Sequence, residues 1–217
     1  MTVELVQGSP EWIAARIGNF GASEVHKLVP TKGEGKGRTE YIHRLACERL
    51  SGKPQGWEGN TATEDGHRQE PLGRRAYEER TGAFVVTVGL IKHPRLATAH
   101  ASPDGLVCEE GGLEVKSHVK FTTHLAALEA SMPRAHLLQC QWGMACTGMK
   151  WWEYGHFCEE APEHLRLFMF PRVVRDEALI AELEAAVEKA ELEVLAKVRR
   201  WAPQDIEALL RASLEPA

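Results

Sequence analysis

SPDGLVCEEGGLEVK, residues 102–116 of the 217-residue chain, is the stretch from which the rest of the sequence can be read. Asp104 follows a proline, and after nine intervening residues Glu114-Val115-Lys116 sets a second acid and a base one residue apart. Gly111-Gly112 predicts a hairpin turn between two short strands, 105–108 and 113–116. Alternation along a strand puts Glu114 and Lys116 on one side and Leu113 and Val115 on the core side. Closing the hairpin sets Asp104 beside Glu114, so two carboxylates and an ammonium share one small volume. Such a set suits a hard divalent cation, which takes one or two carboxylates and keeps water and phosphate oxygens in its other positions. A cation there can activate water for attack at phosphorus. Lys116 would position or deprotonate that water and offset the developing charge. Taken alone, the spacing also fits a solvated hairpin whose charges screen one another.

Upstream, Ser9-Pro10-Glu11-Trp12 reads as a capped helix start, with Arg16 in the last turn and Gly18 as the stop. A second helix is expected from Gly21-Ala22-Ser23-Glu24 to about Leu28. Arg16 and Ser23 flank the break, and a guanidinium beside a hydroxyl and free helix amides makes a phosphate pocket. A salt-bridged arginine next to an ordinary cap is the alternative. TKGEGKGR, residues 31–38, is a basic glycine-rich loop that touches a phosphate backbone or is simply solvated. Helices follow over 38–50 and 61–80; the second carries Glu70, and Pro71 predicts a kink. Strands over 83–92 and 97–101 join the hairpin in an antiparallel or mixed sheet with the site at one edge. Helices at 120–131 and 133–148 come next, with Gln139 on the latter. Strands at 150–158 and 165–171 broaden the sheet. Trp151 and Trp152, as strand neighbours, face opposite sides, so one belongs to the core. Residues 174–200 form a long amphipathic helix that wraps the core or meets another subunit, and 204–213 a short last one.

No apolar run approaches the roughly 18 residues a membrane span needs, and the N-terminal residues lack a signal peptide's apolar stretch. The five cysteines at 47, 108, 140, 146 and 158 form no CxxC pair, which favours reduced thiols over disulfides or zinc. The ten histidines show no HxxxH or HExxH spacing, so zinc hydrolase chemistry is not indicated. The net charge of −5 is unusual for a nucleic-acid-binding protein. Its distribution matters more than its sum. Residues 16–53 hold eight bases against four acids, whereas residues 176–217 hold ten acids against five bases. A basic front and an acidic back allow one face to meet phosphates.

PD-x9-ExK is the signature of the PD-(D/E)XK nuclease fold. The flanking segments resemble the phage lambda exonuclease-type alkaline exonucleases, a YqaJ-type viral recombinase family within it. They are ARIGNFGASEVHKL (15–28), GHRQEP (66–71), ASPDGL (101–106), GLEVK (112–116) and LLQCQWGM (137–144), in the family's order. The resemblance implies an α/β (α+β) fold, with a central mixed sheet flanked by helices and a long C-terminal helix. We expect a single domain over 1–217: a mainly helical part (1–82), the catalytic sheet and helices (83–171) and C-terminal helices (172–217). Asp104, Glu114 and the Val115 carbonyl would hold Mg²⁺, with Mn²⁺ as an alternative. Lys116 and Gln139 would handle the water, and Glu70 would stand as a ligand or one group behind it. Arg16, Ser23 and Ser102 would hold a terminal 5′-phosphate. The implied activity is 5′→3′ digestion of one strand of linear double-stranded DNA. It would leave a 3′ single-stranded tail for a phage-type single-strand annealing protein. The resemblance further implies a homotrimeric ring, a phage or prophage origin and the bacterial cytoplasm. An endonuclease or nickase on the same fold, or a non-catalytic DNA-end-binding module, are the other readings.

Overall fold

The computed structural model describes residues 2–3, 5–30, 35–56 and 61–202, with backbone alone at 2–3 and 61–67. In chain order the elements begin with β1 (Thr2–Val3), α1 (Pro10–Arg16), β2 (Phe20–Gly21) and a 3₁₀ turn at Val25–Leu28. They continue with α2 (Lys36–Ser51), α3 (Thr61–Thr81), β3 (Val85–Val86), β4 (Leu90–Lys92) and β5 (Ala99–Ala101). The central part is β6 (Gly105–Val107), β7 (Gly111–Ser117), α4 (Phe121–Glu129), α5 (Arg134–Thr147) and β8 (Trp151–Phe157). After a 3₁₀ turn at Glu163–Leu165 come β9 (Leu167–Met169), β10 (Val173–Val174) and α6 (Glu177–Trp201).

These strands form two sheets. One is ordered β1-β4-β5-β2, the other β10-β8-β7-β6-β3 with β9 also paired to β8. The second is mixed, with β7 and β8 parallel over seven register pairs and the rest antiparallel. The α/β architecture with its long last helix is therefore as expected. The site, however, sits on β7 in the middle of the strand order and not at a sheet edge. The expected strand 83–92 is two strands in different sheets. The chain breaks at Gly89, whose backbone passes so close to Leu5 that a Cβ would lie 1.6 Å from the Leu5 carbonyl oxygen. The expected helix at 21–28 is only the 3₁₀ turn, because Phe20-Gly21 pairs in parallel with Ala99-His100 instead. Helix α3 continues past Pro71. Val174 belongs to β10, and α6 starts after Asp176, whose carboxylate accepts from the Ala178 and Leu179 N–H groups. The short helix expected at 204–213 and the loop at 31–34 lie outside the described residues.

The hairpin turn is also displaced. Register pairs Gly105↔Leu113, Leu106↔Gly112 and Val107↔Gly111 leave Cys108-Glu109-Glu110 as the turn, with Cys108 at φ 53°. Gly111 and Gly112 lie inside β7 because the Trp151 and Trp152 rings cover them. A Cβ would meet those rings at 2.1 and 2.3 Å. Trp152 is core, as one of the pair had to be; Trp151 is partly exposed under the Arg172 guanidinium at 3.8 Å.

Leu113 and Val115 pack with Tyr77, Val107, Phe157 and Leu167. A larger core joins α2, α5, α6 and the 3₁₀ turn, where Ile180, Leu183, Val187, Ala190, Val194 and Val198 form the buried stripe of α6. Leu192, on the same helix, is exposed. The basic front and acidic back meet here. Arg38 forks onto Glu193 at 2.7 and 3.1 Å, and Arg49 onto Glu191 at 2.6 and 2.8 Å. Those bases are therefore spent inside the protein and do not face phosphates.

Candidate active site

The hairpin register sets Asp104 immediately beyond Gly105 and opposite Glu114. Asp104 Oδ2 accepts the Val115 N–H at 2.7 Å. In a strand the N–H and C=O of one residue leave by the same edge, so the Val115 carbonyl also points towards Asp104. Lys116 Nζ donates to Glu114 Oε1 at 2.6 Å and to Gln139 Oε1, from α5, at 3.3 Å. Glu70, on α3, is tied to the same place. It accepts from Arg74 Nη1 at 2.5 Å and from Gln7 Nε2 at 3.2 Å, while Arg74 also donates to the Asp104 carbonyl at 3.2 Å. Five expected residues, Glu70, Asp104, Glu114, Lys116 and Gln139, are thus gathered from α3, the β6–β7 hairpin and α5.

Burial, then the negative charges of Glu114 and Glu70, hold the Asp104 carboxyl well above the usual carboxylate range. Burial alone would lower Lys116, but the Glu114 charge and hydrogen bond outweigh it, and the ammonium is held above its ordinary value. Lys116 therefore stands as an ammonium beside Glu114 and Gln139. Among the described residues the Asp104 carboxylate has the Val115 N–H and no ion pair. That is an oxygen-only donor set with excess negative charge, which fits a hard divalent cation. Among the described residues no three His, Cys, Asp or Glu side chains converge as a metal site, so most ligands would be waters, the backbone carbonyl and substrate, as Mg²⁺ prefers.

The residues expected to grip a phosphate divide in two. Arg16 and Ser23 line one open cavity of about 140 Å³ with Trp12, Asn19, Gly21 and His100. Arg16 lies 4.1 Å over the Trp12 ring, and burial lowers its pKa. Among the described residues it makes no hydrogen bond or acidic ion pair, unlike Arg38 and Arg49, although Glu24 and Glu48 also line the cavity. No α-helix begins beside it, so the expected helix amides are missing. Ser102 does not line the cavity. It is linked to it by Trp12, whose Nε1–H is shared between Ser102 Oγ at 3.2 Å and the Gly89 carbonyl at 3.0 Å.

The sequence did not point to Trp12 or to a histidine group behind Lys116. His118 Nε2 and His156 Nδ1 are 2.9 Å apart, and Tyr154 hydroxyl contacts both His156 and His136. Burial lowers His118, and His136 and His156 down to about 4. These rings stay neutral and add no charge to the Glu114–Lys116 pair. The alternation in β8, which places Tyr154 and His156 on one face, is the only signal that could have found them.

A mixed-sheet fold with two acids and a lysine on one hairpin defines the class. The sequence profile of the YqaJ-like viral recombinase domain matches residues 11–150, and this chain belongs to that family. The crystal structure of LHK-Exo in complex with dAMP is similar at 36% identity and TM-score 0.81, over 88% of this chain and 95% of that one. The alkaline exonuclease LHK-Exo from Laribacter hongkongensis itself gives 36% identity and TM-score 0.79, over 94% and 98%. A phage-related exonuclease from Haemophilus somnus 129PT shares the fold at 15% identity and TM-score 0.72, over 85% and 96%. No curated protein sequence matches. Among the described residues no helix is long and apolar enough to cross a membrane.

Proposed function

We propose that this protein is a divalent-metal-dependent 5′→3′ exonuclease. It digests one strand of linear double-stranded DNA and leaves a 3′ single-stranded tail. The observation that carries this reading is the convergence of Asp104, Glu114 and Lys116 on one hairpin, where Asp104 has acidic neighbours and, among the described residues, no direct ion pair. Asp104, Glu114 and the Val115 carbonyl hold the cation. When bound, Mg²⁺ or Mn²⁺ supplies Lewis acidity at the scissile phosphate and a nucleophilic water. Lys116 keeps a positive charge beside the phosphate oxygens, and Gln139 fixes the lysine's direction through its 3.3 Å hydrogen bond. Glu70, oriented by Arg74 and Gln7, maintains the negative potential behind Asp104. Arg16 and Ser23 take the 5′-terminal phosphate, with Ser102 positioned by Trp12 at the wall between cavity and acids.

The likeness to an alkaline exonuclease at 36% identity supports this activity. The family membership supports a place in phage-type recombination beside a single-strand annealing protein, in a bacterial host's cytoplasm. On the same resemblance the protein assembles as a homotrimeric ring that retains threaded DNA. Light scattering on the purified protein tests the ring.

The deciding experiment digests a linear duplex, 5′-phosphorylated or 5′-hydroxyl, in Mg²⁺ or in EDTA, and follows which strand shortens. Shortening from the 5′ end in Mg²⁺ alone is expected. Internal cuts would move the assignment to an endonuclease, and no release with intact binding would move it to an end-binding module. Arg16→Ala should lower the rate ratio for phosphorylated over unphosphorylated ends about 10- to 100-fold, as loss of charged hydrogen bonds implies.

A further inference from the structure

His100 sits on β5 opposite Gly21 of β2, and its ring lines the cavity that holds Arg16 and Ser23. It is 3% exposed, and among the described residues neither ring nitrogen has a hydrogen-bond partner. A neutral imidazole always carries one N–H and one lone pair, and buried polar groups left unpaired are costly and uncommon. Nothing in the local packing asks for an imidazole. The flanking residues are Ala99 and Ala101, and the strand is already anchored through the His100 carbonyl, which accepts Trp142 Nε1–H at 3.2 Å. The ring lies just behind Gly21, where a Cβ would stand 3.4 Å from Nε2. Glycine and ring line the same cavity, with the ring nitrogens buried at its wall.

We propose that His100 is a third recognition group for the 5′-terminal phosphate, donating its ring N–H to a phosphate oxygen beside Arg16 and Ser23. The inference rests on the phosphate role assigned to this cavity above. A phosphate monoester offers three terminal oxygens. A guanidinium, a hydroxyl and an imidazole N–H match them with one cation and two neutral donors, and a 5′-hydroxyl end offers nothing that needs all three. His100 therefore sets the selectivity for phosphorylated ends and has no part in bond breaking.

The test measures affinities of a short duplex with 5′-phosphate or 5′-hydroxyl ends by fluorescence anisotropy, with Ca²⁺ replacing Mg²⁺ to prevent turnover. His100→Phe, which keeps the ring volume, should lower the ratio of the two affinities about tenfold, and His100→Gln, which returns an N–H, should restore most of it. An unchanged ratio in His100→Phe overturns the proposal. If that variant does not fold, the imidazole ¹⁵N resonances of the native protein decide. His100 must shift with phosphorylated duplex and stay still with hydroxyl duplex, and equal behaviour overturns the proposal. Arg16→Ala is run alongside. Should it also leave the ratio intact, the cavity itself is not the phosphate site. Should it alone collapse the ratio, only the role of His100 falls.

Discussion

Arg38 and Arg49 on α2 each close a two-pronged ion pair with a glutamate of α6, whereas Arg16, in the cavity, rests on the Trp12 ring and makes no ion pair among the described residues. The acids divide in the same way. Glu191 and Glu193 are matched by guanidinium groups, but Asp104 faces Glu114 and Glu70. The seam between α2 and α6 is charge-balanced and holds the helices together. The site is deliberately unbalanced: an acid short of a cation and a base short of an anion, each in a partly buried place where imbalance is expensive. Stability and function are thus separated in space, and each can be struck alone.

The largest effect should come from the unbalanced side. Glu114→Ala or Lys116→Ala is expected to cut nucleotide release by at least about a thousandfold while duplex binding survives; release by the purified variants at the native rate would end the catalytic assignment. Next, Mg²⁺ at a hundred times its Kd should raise the melting temperature by roughly 5–10 °C, since binding only to the folded state adds about 2.7 kcal/mol. Asp104→Asn should remove that rise and leave the metal-free protein as stable or more so; a persistent rise would place the cation elsewhere. On the balanced side, Glu191→Ala leaves the part-buried Arg49 guanidinium with only the Gly18 carbonyl and should cost about 1–3 kcal/mol in urea unfolding, with the digestion rate of the folded protein unchanged. Were digestion to fall instead, the seam would not be purely structural.

The smallest effect is in pH. Burial and the nearby Arg16 hold the His100 imidazole down to about 3, below its value of roughly 6.5 in an unfolded chain. A depressed folded value means this contribution is complete above about pH 6.5 and is lost as pH falls towards 3, at about 1.4 kcal/mol per pH unit. His100→Phe should flatten that part of the acid limb by one proton, read from urea midpoints at pH 7 and 5. An identical slope would show that His100 does not titrate with unfolding.

The acid–lysine set was legible because its members lie within one hairpin, where strand alternation alone decides which side chains meet. Glu70 and Gln139 came only through the family resemblance, since helices far along the chain bring them in. Two bases of the basic segment, Arg38 and Arg49, are spent on α6, which a run of charge could not announce because the partners lie more than a hundred residues away. Gly111-Gly112 looked like a turn by composition, yet two tryptophan rings from β8 claim the space. Trp12 and His100 gave no signal at all. Their importance comes from the pairing of β2 with β5, a contact no local pattern announces.

Between β5 and β6 the chain passes through Ser102 and Pro103 to a bend at Asp104. On the proposed roles, one group of the end grip and one metal-holding acid belong to this same short link. Only one residue separates Ser102 from Asp104, a reach of at most roughly 7 Å in extended chain. Covalent spacing thereby limits how far the grip on the strand's end can stand from the place of cutting.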